Sequence, residues 1–270
     1  MPKRKRNSEE DASTVDSKVT NNNEYETFSV TSAKGKEIAC ERRGDAPAAL
    51  IFTHGAGGGL SNDAMKEFAE GFAQAAPIVS FKGNMNLKSR VNGFETVIEN
   101  ESTTPALGGR SMGARAAVLA AQQPESGINA LVLASYPMVG AQKGDSREQI
   151  LLDLPENVDV LFVSGSNDSM CDMSKLREVT NKMKASSWII EVSGADHGMS
   201  IKEKDGIQSI RREQGSIAAK WLNKRDSLSK ESLLVWKDGN VELTGSSTGT
   251  DAADETAQKP ERKSKFRRKK

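Results

Sequence analysis

The sequence predicts an α/β fold in which helices cover both faces of a mostly parallel central sheet. Short runs such as 130–135 and 158–164 are apolar throughout, which is typical of strands buried on both faces. Between such runs lie segments with apolar residues at helical spacing, for example Met65, Phe68 and Phe72. Strands that alternate with helices favour a parallel sheet, because each crossover returns the chain to the same edge.

The predicted elements follow one another without an internal repeat. Two β candidates, at 28–31 and 37–41, come before the main alternation. The alternation comprises strand 48–53, helix 63–75, strand 77–81, helix 90–99, helix 111–123, strands 130–135 and 158–164, helix 173–183, strand 188–192 and helix 207–222. A strand is also needed before the helix at 111–123, and residues 103–107 there read Thr-Thr-Pro-Ala-Leu. Proline cannot donate to a ladder, so this strand is predicted to be short and weak.

Outside this region, the composition predicts two disordered tails around one folded domain. Residues 1–24 and 226–270 are rich in polar and charged side chains, which bury too little apolar surface to offset the entropy of ordering. The α/β domain is therefore expected over 25–225. Lysine and arginine crowd both termini, at 3–6 and 263–270, although the formal net charge is only +1. These basic runs resemble nuclear-import signals, and a solvated charged tail is an equally good interpretation.

The rest of the composition disfavours several classes of function. The chain has 2 cysteines, Cys40 and Cys171, which favours a reducing compartment over a disulfide framework. No apolar signal segment follows the basic N-terminus, and no run approaches the ~18 apolar residues that span a bilayer. We therefore expect an intracellular protein, cytoplasmic or nuclear, that does not enter membranes. Specific nucleic-acid binding, a metal site and a cofactor are not expected, since the sequence holds no motif for them.

The strongest chemical motif is a G-x-S-x-G sequence that contains Gly109, Ser111 and Gly113. It lies between a predicted strand and a predicted helix, and such a sharp turn strains the backbone at the serine. The glycines let neighbouring backbone pass close by, and the helix N-terminus favours negative charge beside Ser111. Taken alone, the motif is equally compatible with an ordinary turn, so its meaning depends on what else the sequence supplies.

A glycine-rich loop, His-Gly-Ala-Gly-Gly-Gly at 54–59, follows the first buried strand. The backbone N–H groups of Ala56 and Gly57, together with that of Met112, are candidates for an oxyanion hole. The alternative is a phosphate-binding loop, which is disfavoured because the Gly-Lys-Ser/Thr ending of a P-loop is missing. The residues expected to hold the serine turn and this loop in shape are His54, Gly55, Gly109 and Gly113.

A candidate acid and a candidate base follow two later strands. Asp168 comes at the C-terminal end of one strand, and His197 comes just after the last one. In a parallel sheet these ends meet at the edge where ligands bind. An aspartate there can accept a hydrogen bond from a histidine, which can then take a proton from Ser111. Asp172 is the competing acid, although it fits better as the cap of the helix that follows.

At these residues the chain resembles a known family. The matching stretches lie between residues 51 and 199 and read IFTHGAGG, FKGNMNLKSRV, LGGRSMGARAA, LVLASYP, LFVSGSNDSMC and ADHGM. They resemble the α/β-hydrolase-like domain of the testis-expressed hydrolase-like proteins and of NSL-complex subunit 3, and dienelactone-hydrolase-type enzymes are distantly similar. The resemblance implies an α/β-hydrolase fold, with the family's nucleophile, acid and base on Ser111, Asp168 and His197.

Motifs and resemblance together predict a serine hydrolase that cleaves an ester, thioester or related acyl bond of a small molecule. The alternative is a catalytically silent domain that binds other proteins, nuclear and chromatin-linked like its relative. The weak strand at 103–107 and the basic tails favour that alternative. Lys82, Asn86 and Arg90 form a polar row near the proposed site, which is either a holder for an anionic substrate group or a solvated helix face.

Overall fold

The computed structural model describes residues 25–124, 126–140 and 147–245. The strands are β1 (Glu26–Thr31), β2 (Glu37–Arg43), β3 (Leu50–Thr53), β4 (Ile78–Phe81), β5 (Ala106–Arg110), β6 (Ala130–Ala134), β7 (Asp159–Gly165), β8 (Ser186–Val192), β9 (Glu231–Lys237) and β10 (Asn240–Gly245). The α-helices are α1 (Asp63–Ala73), α2 (Leu87–Ile98), α3 (Met112–Ala121), α4 (Gln149–Leu152), α5 (Met173–Thr180) and α6 (Ile207–Asn223). Two 3₁₀ turns, Lys204–Gly206 and Arg225–Ser227, flank α6.

The ten strands of the described residues form a single sheet in the order β1-β2-β4-β3-β5-β6-β7-β8-β9-β10. Neighbouring strands from β4 through β9 run parallel, and antiparallel pairing occurs only near the two edges, at β1–β2, β2–β4 and β9–β10. The mostly parallel sheet predicted from the sequence is therefore confirmed. Its C-terminal edge gathers the loops that follow β3, β5, β7 and β8.

Two hydrophobic cores lie on opposite faces of this sheet. Helices α1 and α6 cover one core, and α2, α3 and α5 cover the other. Side chains alternate along a strand, so Ile51 packs into one core and its neighbour Phe52 into the other. Val160 and Leu161 divide between the cores in the same way. This double burial explains why the central strands are apolar at every position.

The strand before the serine turn differs from the prediction. β5 runs from Ala106 to Arg110, all five of its residues are buried, and Pro105 precedes the ladder. The expectation of a weak strand at 103–107 was wrong, because the glycines were assigned to the turn and not to the strand. A Cβ on Gly108 would lie 2.5 Å from the carbonyl oxygen of Val132 on β6, so glycine here permits close strand packing.

The C-terminal boundary of the domain also differs from the prediction. Residues 226–270 were expected to form a tail, yet β9 and β10 continue the sheet to Gly245. In β9 only alternate positions such as Leu234 are buried, and a strand buried on one face needs little apolar sequence. The ring of Trp236 packs against Gly206. The tail prediction for residues 1–24, and for 246–270, lies outside the described residues.

Replacing Leu234 by alanine is expected to lower the free energy of unfolding by about 2–4 kcal/mol, because this fully buried side chain would leave a cavity. Urea denaturation followed by circular dichroism measures the change. The matched control is Leu243→Ala in β10, where the side chain is 42% exposed and the expected change is below ~0.5 kcal/mol. Equal effects of the two substitutions would contradict the place of β9 in the core.

Candidate active site

Ser111 lies on a strained bend between β5 and α3. Its backbone has φ 52° and ψ −111°, a left-handed region that non-glycine residues rarely occupy. The N–H of Ser111 donates to the carbonyl of Ala134 at 3.0 Å, and its carbonyl accepts from the N–H of Arg115 at 3.2 Å. The surrounding backbone thus holds a conformation that turns the serine side chain out of the strand, as a sharp strand-to-helix turn requires.

The flanking glycines allow three backbone segments to meet beneath this bend. A Cβ on Gly113 would lie 2.3 Å from the carbonyl oxygen of Thr53 and 2.8 Å from that of His54. A Cβ on Gly109 would lie 2.8 Å from the same oxygen of Thr53. Any larger residue would push α3 away from the end of β3. The two glycines therefore keep the serine bend against the glycine-rich loop.

A hydrogen-bond chain joins the three residues that the sequence singled out. His197 Nε2 lies 2.9 Å from Ser111 Oγ, and His197 Nδ1 lies 2.8 Å from Asp168 Oδ2. The Asp168 side chain is fully buried, and its Oδ1 also accepts from the N–H of Met170 at 2.8 Å. With Nδ1 donating to the carboxylate, Nε2 is left to accept from the serine hydroxyl. The structure thus brings these side chains together, while their catalytic roles stay predictions.

Asp172, the competing acid, does not enter this chain. It is the N-cap of α5, and its Oδ1 accepts from the backbone N–H of Lys175 at 2.8 Å. Such a bond satisfies one of the donors left free at a helix start. The sequence interpretation of Asp172 as a cap is confirmed.

Two arginines that the sequence analysis overlooked fix the loop carrying the histidine. The buried Arg110 donates from Nη2 to the carbonyl of His197 at 2.7 Å. Arg211 on α6 donates to the carbonyls of Gly198 at 3.0 Å and Met199 at 3.1 Å. Burial lowers the pKa of Arg110 to about 10, so it remains charged at neutral pH. The signal for Arg110 in the sequence was a charged residue directly after the apolar and glycine run at 106–109.

His54 ties the glycine-rich loop to the loop after β4. Its Nδ1 lies 2.7 Å from the carbonyl oxygen of Gly55, and its Nε2 accepts from the N–H of Gly83 at 3.0 Å. One nitrogen donates and the other accepts, which is the pattern of a neutral imidazole. Burial lowers the pKa of His54 and favours that neutral form. Gly55 follows directly, and a Cβ there would lie 3.4 Å from Cβ of Ser111.

The polar row at Lys82, Asn86 and Arg90 is not one unit. Asn86 is the N-cap of α2 and accepts from the N–H of Ser89 at 2.9 Å. Lys82 is exposed, whereas Arg90 is fully buried. Neither an anion holder nor a solvated helix face describes Arg90, because its guanidinium binds backbone carbonyls inside the protein. Sequence spacing alone gave no sign of this burial.

A cleft of about 370 Å³ opens over the serine at the C-terminal edge of the sheet. Its lining includes Ala56, Gly57, Met65, Ser111, Met170 and His197. Most of that wall is apolar or glycine, and the polar groups converge at the serine. Among the described residues, no three His, Cys, Asp or Glu side chains are grouped as metal ligands. None of the described helices has the apolar length that crossing a membrane requires.

Comparisons with known proteins agree with this fold. The sequence profile of an α/β hydrolase domain family matches residues 82–222, just over half of the chain. One similar solved structure is an α/β serine hydrolase homologue from Coxiella burnetii, with 17% identity, a TM-score of 0.56 and coverage of 75% of this chain and 99% of that chain.

Two further solved structures are similar at lower identity. Dienelactone hydrolase from Anabaena variabilis has 14% identity, a TM-score of 0.56 and coverage of 74% of this chain and 98% of that chain. The esterase domain of a Rhodothermus marinus protein has 12% identity, a TM-score of 0.54 and coverage of 73% of this chain and 98% of that chain. At such identities the likeness shows the fold.

Replacing Gly113 by alanine is expected to lower the free energy of unfolding by about 3 kcal/mol, because the new Cβ would overlap the backbone of Thr53. Gly57→Ala is the matched control in the facing loop. A Cβ on Gly57 meets nothing within 4 Å, so its expected effect is below ~1 kcal/mol. Urea denaturation of both variants measures the difference, and similar stabilities would contradict the close backbone contact.

The stability of the protein is expected to fall in acid partly through His54. Its pKa is lowered in the folded state by burial, so the unfolded chain binds this proton more readily. The contribution of neutral His54 is therefore complete above about pH 6.5 and is lost as pH falls toward the lower folded pKa. Urea denaturation at about pH 7 and about pH 5 should show a smaller decrease for His54→Gln than for wild type. Identical decreases would refute the assignment.

Proposed function

The chain belongs to the α/β hydrolase domain family, and we propose that it is a serine hydrolase that cleaves an ester, thioester or related acyl bond of a small molecule. The observation that carries the proposal is the unbroken hydrogen-bond chain from Ser111 through His197 to Asp168. It ends at a cleft large enough for a small substrate, and the nucleophile occupies a strained bend at a helix start.

In the proposed reaction, Ser111 Oγ attacks the carbonyl carbon of the substrate while His197 Nε2 takes the hydroxyl proton. Asp168 keeps the imidazole in the required tautomer and stabilises its charged form. The tetrahedral intermediate then collapses, and His197 gives its proton to the leaving alcohol or thiol. A water molecule, deprotonated by the same imidazole, hydrolyses the acyl-enzyme and restores the serine.

Backbone amides beside the serine are the proposed oxyanion hole. Met112 is the first residue of α3, and its N–H is one of the donors that a helix leaves without an internal partner. Ala56 and Gly57 line the cleft that contains Ser111. Donors fixed before the reaction stabilise negative charge on the substrate oxygen without reorganising, which makes them a major source of rate enhancement.

The cleft wall favours a small substrate without charge near the acyl carbon. Met65 and Met170 give the wall an adaptable apolar surface. Arg110, which also reaches the lining, is engaged by the carbonyl of His197 and by Ser135. A volume of about 370 Å³ lies near the lower limit for small-molecule sites, so a short acyl chain fits best.

The other interpretation of the sequence is a silent domain that binds proteins. The structural argument for this interpretation was a weak strand at 103–107. However, β5 is fully buried in the middle of the sheet and ends directly before Ser111. The resemblance to testis-expressed hydrolase-like proteins supports a hydrolase, while NSL-complex subunit 3 supports a nuclear partner. A nuclear location remains a prediction, because the basic runs at 3–6 and 263–270 lie outside the described residues.

Labelling with a fluorophosphonate probe tests the proposal. Wild-type protein is expected to label, and Ser111→Ala should abolish labelling and reduce ester turnover by about 10⁴-fold or more. His197→Gln should have a similar effect, because the hydroxyl would keep its proton. Ser61→Ala is the matched control, since this exposed serine lies at the end of the same glycine-rich loop. A folded wild-type protein that neither labels nor hydrolyses simple esters would contradict the proposal.

A further inference from the structure

Arg90 is a fully buried arginine on α2 whose Nε and Nη1 donate to backbone carbonyls, while its Nη2 is buried without a hydrogen-bond partner among the described residues. Its Nε donates to the carbonyl of Asn84 at 2.9 Å. Its Nη1 donates to the carbonyl of His54, and more weakly to that of Gly55 at 3.4 Å. Two of these three carbonyls belong to the glycine-rich loop. The side chain therefore links α2 to the loop that forms one wall of the cleft.

The burial of this charge is costly and calls for a reason. Burial lowers the pKa of Arg90 to about 10, so the group is still a cation at neutral pH. Among the residues that the structure describes, no carboxylate forms an ion pair with it. A cation compensated only by carbonyl dipoles stabilises a fold poorly. Such local costs are typical of sites where function requires a fixed geometry.

Because the peptide group is planar, a hydrogen bond that fixes a carbonyl also fixes the direction of the N–H of the next residue. In a trans peptide, a carbonyl and the N–H of the next residue point in opposite directions. The carbonyl of His54 is held by Arg90, and that of Gly55 is held mainly by the His54 ring. The N–H of Gly55 must then face away from Arg90. The N–H of Ala56 must face away from the side on which the His54 ring and, more weakly, Arg90 hold the carbonyl of Gly55.

The serine lies beside this part of the loop. A Cβ on Gly55 would lie 3.4 Å from Cβ of Ser111, and both Gly55 and Ala56 line the cleft. Within the described ranges, the N–H of Ala56 donates to no acceptor. A free backbone donor at the cleft wall is what an oxyanion requires.

We propose that Arg90 is a positioning residue that, through the carbonyls of His54 and Gly55, aims the N–H of Ala56 at the oxyanion formed beside Ser111. This inference rests on the proposed hydrolase function and adds the device that orients one of its donors. It also distinguishes Ala56 from Gly57 as the donor of this loop. A run of glycines is otherwise free to turn its amides away, and Arg90 removes that freedom.

Gly83 offers a second, independent substitution that perturbs the contact between Arg90 and the glycine-rich loop. A Cβ there would lie 2.6 Å from Nε of Arg90 and 2.9 Å from Oγ1 of Thr53. Its own N–H donates to Nε2 of His54. The residue thus leaves room for the guanidinium while its backbone steadies the histidine. Gly83→Ala would press on Arg90 without removing its charge.

Steady-state kinetics with a short p-nitrophenyl ester tests the inference. In Arg90→Met, kcat is expected to fall about 100-fold while KM changes less than about threefold, because the lost interaction acts on the transition state. A trifluoromethyl ketone, which forms an oxyanion adduct with the serine, should lose affinity in parallel. Arg90→Lys keeps one donor and should recover part of kcat. A merely structural role would lower stability without this division between kcat and KM.

Arg43→Met is the matched control for the loss of a buried arginine. Arg43 is 5% exposed and lies on β2 opposite Ile78, at the far edge of the sheet from the site. Its replacement should lower thermal stability and leave kcat unchanged. Wild-type kcat in a folded Arg90→Met variant, or an equal loss of kcat in Arg43→Met, would overturn the inference.

Two further outcomes are decisive. If Arg90→Met does not fold, the inference is tested with Arg90→Lys and Gly83→Ala. A wild-type kcat in both of these variants would overturn it. If the wild-type protein neither labels with the fluorophosphonate nor hydrolyses esters, the proposed function falls and the inference falls with it. An active wild type with an unaffected Arg90 variant removes the inference alone.

Discussion

The site depends on one contact between backbones that leaves no room for a side chain. Gly113 at the start of α3 lies against the carbonyl oxygens of Thr53 and His54 at the end of β3. Because β3 and β5 are neighbours in the sheet, the serine bend and the glycine-rich loop emerge side by side. The same packing maintains the left-handed conformation of Ser111, which isolated chain would abandon. Without this contact, the hydroxyl of Ser111 and the N–H groups of the glycine-rich loop would not lie next to the same point in the cleft.

Around that contact, buried and half-buried guanidinium groups fix the loops through main-chain oxygens. Arg90 holds the glycine-rich loop, Arg110 holds the carbonyl of His197, and Arg211 holds the two residues that follow it. Arginine suits this task because its rigid fork carries several donors that can reach separate carbonyls. Loops rich in glycine are entropically free, so their order must come from neighbours. Here α2, β5 and α6 supply those neighbours.

The sequence predicted the fold well wherever a strand is buried on both faces, as in the runs that contain Leu131 and Phe162. It led us to expect Ser111, Asp168 and His197 close together, because each follows a strand and the ends of parallel strands share an edge. Their catalytic roles stay predictions. It failed at Leu234, because β9 buries only alternate positions and lacks the continuous apolar run of the central strands. It failed at Arg90 and Arg110 because the direction of a long side chain depends on tertiary packing that local pattern does not encode.

Because the loops are fixed through backbone carbonyls, substrate specificity in such a protein can change during evolution without altering the loop framework. The groups that would react are fixed by glycines and by arginines bound to carbonyls, none of which need recognise a substrate. The walls that would recognise it are side chains such as Met65 and Met170, which take no part in that framework. Selection can therefore exchange the walls while the reacting geometry persists. In this architecture, the residues that set the reacting geometry and those that would contact the substrate can evolve independently.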